Sequence, residues 1–171
     1  MKLNQIEGVE YFPLKSISDE RGKFCKTFSC EWLNLNEFII AESFFSSSFK
    51  GVTRGMHLQW GEFANDRIVT IISGKIFDVL IDLRETSRTY GLINLTEMSS
   101  EQVGGLYIPK GVAHGFQALE NSITHYVSSK IYNKEFDGGV NIDSLNIEWP
   151  IKEKIMSSRD KNLPHFKPKI S

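Results

Sequence analysis

The sequence predicts an all-β fold, a jelly-roll barrel or sandwich with a few short helices, and three observations carry that prediction. Short runs of β-branched and apolar residues recur from residue 67 onward, turn signals separate them every ~8–12 residues, and no long helical period interrupts them. At 171 residues the chain has the length of one domain able to bury a core without staples. No repeat, low-complexity tract or linker divides it, so residues 1–171 are read as a single domain.

The elements follow in chain order. The N-terminal part alternates apolar and polar residues weakly and turns at Ser18-Asp19-Glu20-Arg21-Gly22, after which residues 24–28 can form a strand. Residues 31–38 read as a short helical turn, and Ser46-Ser47-Ser48 as a polar approach to Gly51-Val52-Thr53-Arg54-Gly55-Met56-His57-Leu58-Gln59. That stretch sets an arginine and a histidine three apart and brackets the arginine with glycines. Glycine permits a tight turn or close backbone approach, a guanidinium can clamp an anion with two hydrogen bonds, and a histidine titrates near neutral pH. Taken alone, the stretch could equally be a surface turn with two unrelated polar residues.

Beyond residue 67 the strands are clear. Residues 68–72 are apolar and β-branched, Ser73-Gly74 turns the chain, and residues 76–83 follow with Phe77, Val79, Ile81 and Leu83 on one face and Asp78 and Asp82 on the other. Residues 92–95, 105–108, 112–119 and 123–130 add four short segments, separated by turn residues such as Pro109-Lys110-Gly111 and Glu120-Asn121. The tail from residue 157 carries Pro164 and Pro168 and has room for one short helix.

Composition excludes several function classes. Twenty basic against twenty-one acidic residues leave a formal charge of -1, so no global field points to nucleic acid or an anionic membrane, and any anion is bound locally. The N-terminus lacks the apolar run of a signal peptide and no window approaches a membrane span, which predicts a soluble cytoplasmic protein. Cys25 and Cys30 fit neither a zinc pattern nor a disulfide framework and are expected as free thiols.

Polar residues on the inward face of a barrel strand are costly unless paired or used on a ligand. His114 shares a face with Val112, Phe116 and Ala118, where a hydrogen-bonded core histidine is the ordinary explanation. Thr124, Tyr126 and Ser128 share a face that suits a wet pocket or the surface equally well. Metal-binding cupins offer a His-x-His pair, but His57 is followed by Leu58 and Gln59, so no metal or other cofactor is expected.

In combination, several segments resemble the dTDP-4-dehydrorhamnose 3,5-epimerases, cupin-type jelly rolls that work without metal on nucleotide-linked 4-keto-6-deoxy sugars. The matching segments are Asp19-Glu20-Arg21-Gly22, Gly51 to His57, Phe77-Asp78-Val79, Asp82-Leu83-Arg84, Ser87-Arg88-Thr89-Tyr90-Gly91 and Ile108 to Phe116. Tyr126, Tyr132, Glu148-Trp149-Pro150 and Ser157-Ser158-Arg159-Asp160 complete the set, in the family's order, over residues 19 to 160. The resemblance implies that His57 is the base, oriented by Asp160, and that Tyr126 is the acid returning a proton from the opposite face. It further implies substrate-binding roles for Arg21, Lys26, Glu42, Arg54, Arg67, His114, Tyr132 and Asp137, with Arg21 and Arg54 on the diphosphate and Arg67 near the keto oxygen. The implied pathway is deoxysugar synthesis for surface polysaccharide, and the implied assembly is a homodimer in which N-terminal strands, residues 11–28 here, cross to a partner.

The departures bear on substrate identity. The family usually has glutamate, glutamine and asparagine where this chain has Lys26, Glu42 and Phe44. Exchanging acceptor for cation and amide for carboxylate suggests a cytidine-linked rather than a thymidine-linked sugar. Phe44 removes a polar partner and would suit a 3,6-dideoxy ketose. Whether carbon 3, carbon 5 or both are inverted stays open. Two alternatives stand beside the epimerase: a sugar-nucleotide ketoisomerase, and a non-catalytic jelly roll that binds a nucleotide sugar and has no use for His57, Asp160 and Tyr126 together.

Overall fold

The computed structural model describes residues 6–29 and 38–168. Twelve strands carry the fold: β1 (Glu10–Pro13), β2 (Ser16–Asp19), β3 (Gly22–Cys25), β4 (Glu42–Ser48), β5 (Thr53–Gln59) and β6 (Arg67–Ser73), then β7 (Lys75–Asp82), β8 (Ile93–Ser99), β9 (Gly104–Ile108), β10 (Val112–Ala118), β11 (Ser122–Ser128) and β12 (Asp137–Gly139). One short helix, α1 (Ser158–Lys161), sits near the C-terminus. Two five-stranded antiparallel sheets, in the orders β1-β9-β6-β11-β4 and β12-β5-β10-β7-β8, form the jelly roll that the sequence predicts.

One core lies between the sheets. It joins Val69, Ile71, Leu106 and Ile108 of the first sheet to Ile76, Leu80, Val112 and Phe116 of the second. Side chains of this size contribute ~1.5–3 kcal/mol each when fully buried. A second cluster covers the opposite face of the second sheet, where Met56, Val79, Ile81 and Ala113 pack against Val140, Ile142, Leu145 and Trp149. The C-terminal segment thus turns a one-faced sheet into a two-faced one. Asp78 and Asp82 alternate onto the other face of β7, the one that carries Ile76 and Leu80 toward the first sheet, and they too lie buried rather than in solvent.

The hairpin of β2 and β3 stands apart as a two-stranded sheet, turning at Glu20-Arg21 with Asp19 opposite Gly22, as the turn signal predicts. Ile17 and Phe24 on it are largely exposed. Its second strand ends at Cys25, short of the expected residue 28, and Cys25 is free. The helical turn expected over residues 31–38 and the thiol of Cys30 fall outside the described residues, Phe38 excepted.

The larger correction concerns residues 42–59. Ser46-Ser47-Ser48, read as a polar approach, ends the strand β4, and the stretch Gly51 to Gln59, whose glycines allow a tight turn or close backbone approach, contains the strand β5. Strand geometry wins because β4 pairs along its whole length with β11, and β5 lies between β10 and β12. Their polar side chains face a cavity, so apolar periodicity gives no sign of them.

Candidate active site

At the β4 and β12 edges the two sheets enclose a cavity of about 330 Å³. Glu42, Phe44 and Ser46 of β4, Tyr126 of β11 and Arg67 of β6 line one wall, while Arg54 and His57 of β5, His114 of β10 and Asp137 of β12 line the other. Its size is at the lower end for small-molecule pockets, enough for a sugar, with a longer ligand emerging past exposed Tyr132 at the rim. A hollow of about 500 Å³ beside Trp60 and Lys110 is larger but gathers no acid and base together.

Arg54 and His57 are three residues apart and would face opposite ways on a regular strand. Between them the β5 to β10 register slips: His57 opposes His114 while Arg54 opposes Phe116, so three positions of β5 span two of β10. This bulge turns both side chains into the cavity. Gly55 makes it possible, with φ of 118° and so little room that a Cβ would lie 2.5 Å from the Gly115 Cα. The glycine beside the arginine thus serves close backbone approach within a strand.

α1 brings Asp160 to His57 across 103 residues of sequence. Ser157 caps the helix by accepting from the Asp160 backbone N–H at 3.0 Å, and the Asp160 carboxylate accepts from Gly55 N–H at 3.3 Å and meets His57 Nε2 at 2.7 Å. That short contact makes Nε2–H the donor and leaves Nδ1 with the lone pair a base requires. Burial pushes the Asp160 carboxyl upward, but the hydrogen bond and charge of His57, the Gly55 N–H and Arg159 outweigh it and hold the group below its ordinary value. Arg159 Nη1 lies 3.3 Å from His57 Nε2, while its Nη2 donates to Asp137 at 2.6 Å.

Across the cavity the Tyr126 ring stacks on Phe44, with centroids 4.8 Å apart and planes 13° from parallel, and meets the edge of His114 at 6.0 Å. Burial raises the Tyr126 hydroxyl well above its ordinary value; a hydrogen bond with Ser46 opposes the rise, Asp78 adds to it, and Arg67 and Arg54 oppose it. At neutral pH it is therefore a phenol that can give a proton. His114, expected as either a core or a site residue, is both: Nε2 is 2.6 Å from Asp78 Oδ2, and the ring lines the cavity.

Arg67 is buried and donates from Nη2 to the backbone oxygens of His57 and Val112 at 3.2 and 3.0 Å. Its Nε has no partner among the described residues. Burial pulls its proton affinity below the ordinary value, opposed by Tyr126, Asp78 and Asp137. Arg54 is held at the rim by Ser48 Oγ at 3.0 Å and the Ser47 carbonyl at 3.1 Å, and Glu42 accepts from Tyr132 N–H at 3.1 Å.

Two expected residues are not in this cavity. Arg21 sits on the β2–β3 arm, 82% exposed and ion-paired to Asp19, and Lys26 follows the arm, also exposed. Within one chain Lys26 does not reach the cavity that Glu42 lines: among the described residues β2 and β3 form a sheet of their own. Arg159 and Asp78 were missed as site residues, although both lie inside segments that carry the family resemblance. A cation beside a dyad carboxylate, and an aspartate on an otherwise apolar strand, were the available signals. Among the described residues no group of three or more His, Cys, Asp or Glu side chains gathers as a metal site.

A sequence profile for dTDP-4-dehydrorhamnose 3,5-epimerase matches residues 4–168. The chain belongs to this family. A relative from Methanothermobacter thermautotrophicus, named dTDP-4-dehydrorhamnose 3,5-epimerase, is 37% identical over 165 residues, covering 92% of this chain and 89% of its own. The Legionella pneumophila enzyme solved with dTDP-4-keto-L-rhamnose superposes with a TM-score of 0.86 at 29% identity, covering 96% of both chains. A Streptomyces niveus relative, 32% identical over 168 residues and covering 92% of this chain and 79% of its own, is named a 3-epimerase, so the family includes enzymes named for one carbon as well as two. The all-β jelly roll and the isomerase class read from the sequence therefore hold, and the chain is an epimerase of nucleotide-linked keto-deoxysugars. No helix among the described residues is long and apolar enough to cross a membrane.

Proposed function

We propose that this epimerase inverts carbon 5, carbon 3 or both of a dTDP-linked 4-keto-6-deoxyhexose, with His57 as base and Tyr126 as acid. The observation that carries the reading is their placement: a histidine with a free lone pair on one wall of the cavity and a protonated tyrosine on the other. A carbon beside a ketone is weakly acidic, and His57 removes its proton to leave an enolate. Asp160 stabilises the imidazolium so formed. Tyr126 then gives its O–H proton to the other face of the carbon, the ketone re-forms, and solvent restores both groups. Each positioned acid or base is worth ~10²–10⁴-fold in rate.

The enolate oxygen needs a donor. Buried Arg67, with a partnerless Nε, and His114, polarised by Asp78, are the candidates, one such donor being worth ~3 kcal/mol. Arginine spreads its charge over a wider plane than the family's lysine but keeps it. Arg54, at the rim, takes the diphosphate, beside Tyr132 and the Arg159–Asp137 pair. The exposed arm with Arg21 and Lys26 suits a cytoplasmic homodimer in which these two residues reach the partner's site, since Ile17 and Phe24 are otherwise left in water.

The test is proton NMR in deuterated water with dTDP- and CDP-linked 4-keto-6-deoxyglucose offered separately. The expected result is exchange and inversion at carbon 3, carbon 5 or both of the dTDP sugar. Preference for the CDP sugar would support the base switch suggested by Lys26 and Glu42. A keto group that moves to carbon 3 would make the protein a ketoisomerase, and binding without exchange would make it a carrier.

A further inference from the structure

We infer that Phe44 is a positioning residue for Tyr126, and that its stack against the acid decides whether the enolate is inverted or merely exchanges its proton. The inference rests on the assignment of Tyr126 as the acid. Phe44 and Tyr126 are direct cross-strand partners on β4 and β11, and their rings lie nearly parallel at 4.8 Å. The Tyr126 ring also meets the edge of His114, at 6.0 Å and 64°. Its hydroxyl meets Ser46, a single contact about which the ring can still tilt, so the angle of the ring is set by the two rings packed on it. Phe44 carries no polar atom and cannot hold the hydroxyl by a hydrogen bond, so what it supplies is orientation and the exclusion of water. It can do so at the cavity because β4 is an edge strand whose Glu42, Phe44 and Ser46 all line the pocket.

The consequence follows from competition. Once His57 has taken the proton, the enolate has two fates. The imidazolium, having traded its proton with solvent, can return one to the same face, which gives exchange without inversion. Tyr126 can instead deliver its proton to the opposite face, forming the new C–H bond as its O–H bond breaks, which gives inversion. Both routes conserve atoms and charge and differ only in the donor. A tyrosine ring free to tilt loses reach to the carbon, whereas His57, on the other sheet and tied to Asp160, is untouched. Loosening Phe44 should change the ratio of the two fates more than the rate of the first step.

The experiment measures inversion and deuterium exchange together by NMR in deuterated water, using dTDP-4-keto-6-deoxyglucose with the wild type, F44A, F44L and F44Y. The ratio of inversion to exchange is expected to fall about tenfold in F44A, to stay low in F44L, which fills space without a ring, and to recover in F44Y, which restores the stack. Because the readout is a ratio, a partly unfolded variant lowers both rates and leaves it unmoved, and F44L carries the test if F44A does not fold. A wild-type ratio in F44A and F44L would overturn the inference, assigning Phe44 to packing alone. Failure of the underlying assignment looks different: the wild type would then neither exchange nor invert, or Y126F would invert normally.

Discussion

The histidines of two histidine–carboxylate pairs stand on adjacent strands of the same sheet, His57 directly opposite His114, yet the pairs are suited to different tasks. The contact distances barely differ, 2.7 Å for His57–Asp160 and 2.6 Å for His114–Asp78. Exposure separates them: the His57 side chain is 28% exposed, whereas His114 and Asp78 are 4% and 1% exposed. A base must shed its proton to solvent between turnovers, which an accessible imidazole over a buried carboxylate can do. The buried pair has no such outlet, which suits His114 to the donor role proposed for it rather than to that of a base. On the proposed assignment, the same two kinds of side chain serve as a base or as a polarised donor according to how much water they meet.

The sharpest break of this comparison is H57A. It should reduce turnover by about a thousandfold while the melting temperature and dTDP binding stay near wild type, checked by NMR turnover and calorimetry. An equal loss in H114A with no change in stability would erase the distinction between the pairs.

D78A should show the opposite profile. Leaving His114 buried without its carboxylate costs about 3 kcal/mol of stability in urea unfolding, with a smaller loss of turnover, about tenfold. Removal of Asp160, whose partner His57 is only half-buried, should cost more in rate than in stability.

The smallest effect sharpens the comparison with a third buried carboxylate that serves structure only. Burial pushes Asp82 up, but hydrogen bonds from Arg84, Thr89 and Ser87 outweigh it and bring it from 3.8 down to about 2. A carboxyl held below its unfolded value contributes stability that is present above pH 3.8 and is lost as pH falls toward about 2. Urea midpoints should therefore fall across that window in the wild type and fall less in D82N.

Much of this contrast was hidden from the sequence for physical reasons. The strands β6, β7, β10 and β11 were legible because their β-branched and apolar runs bury in the core. Strands β4 and β5 were not, since a cavity wall asks for serine, arginine and histidine at positions where a core wall asks for valine. Asp78 was legible as an off-face aspartate but not as buried, because its partner His114 is on another strand and the C-terminal segment that covers Val79 and Ile81, leaving both faces of β7 packed, announces nothing by periodicity. His57 and Tyr126 could be nominated as a base and an acid from chemistry. Asp160 could be joined to His57 only through resemblance, as no local pattern reaches across 103 residues.

The measurement that most directly tests two-walled proton transfer is NMR of Y126F with dTDP-4-keto-6-deoxyglucose in deuterated water. Deuterium should continue to enter the substrate beside the ketone, because His57 is intact, while inversion falls at least about a hundredfold. Inversion at the wild-type rate, or loss of exchange and inversion in equal measure, would contradict an acid on one wall answering a base on the other.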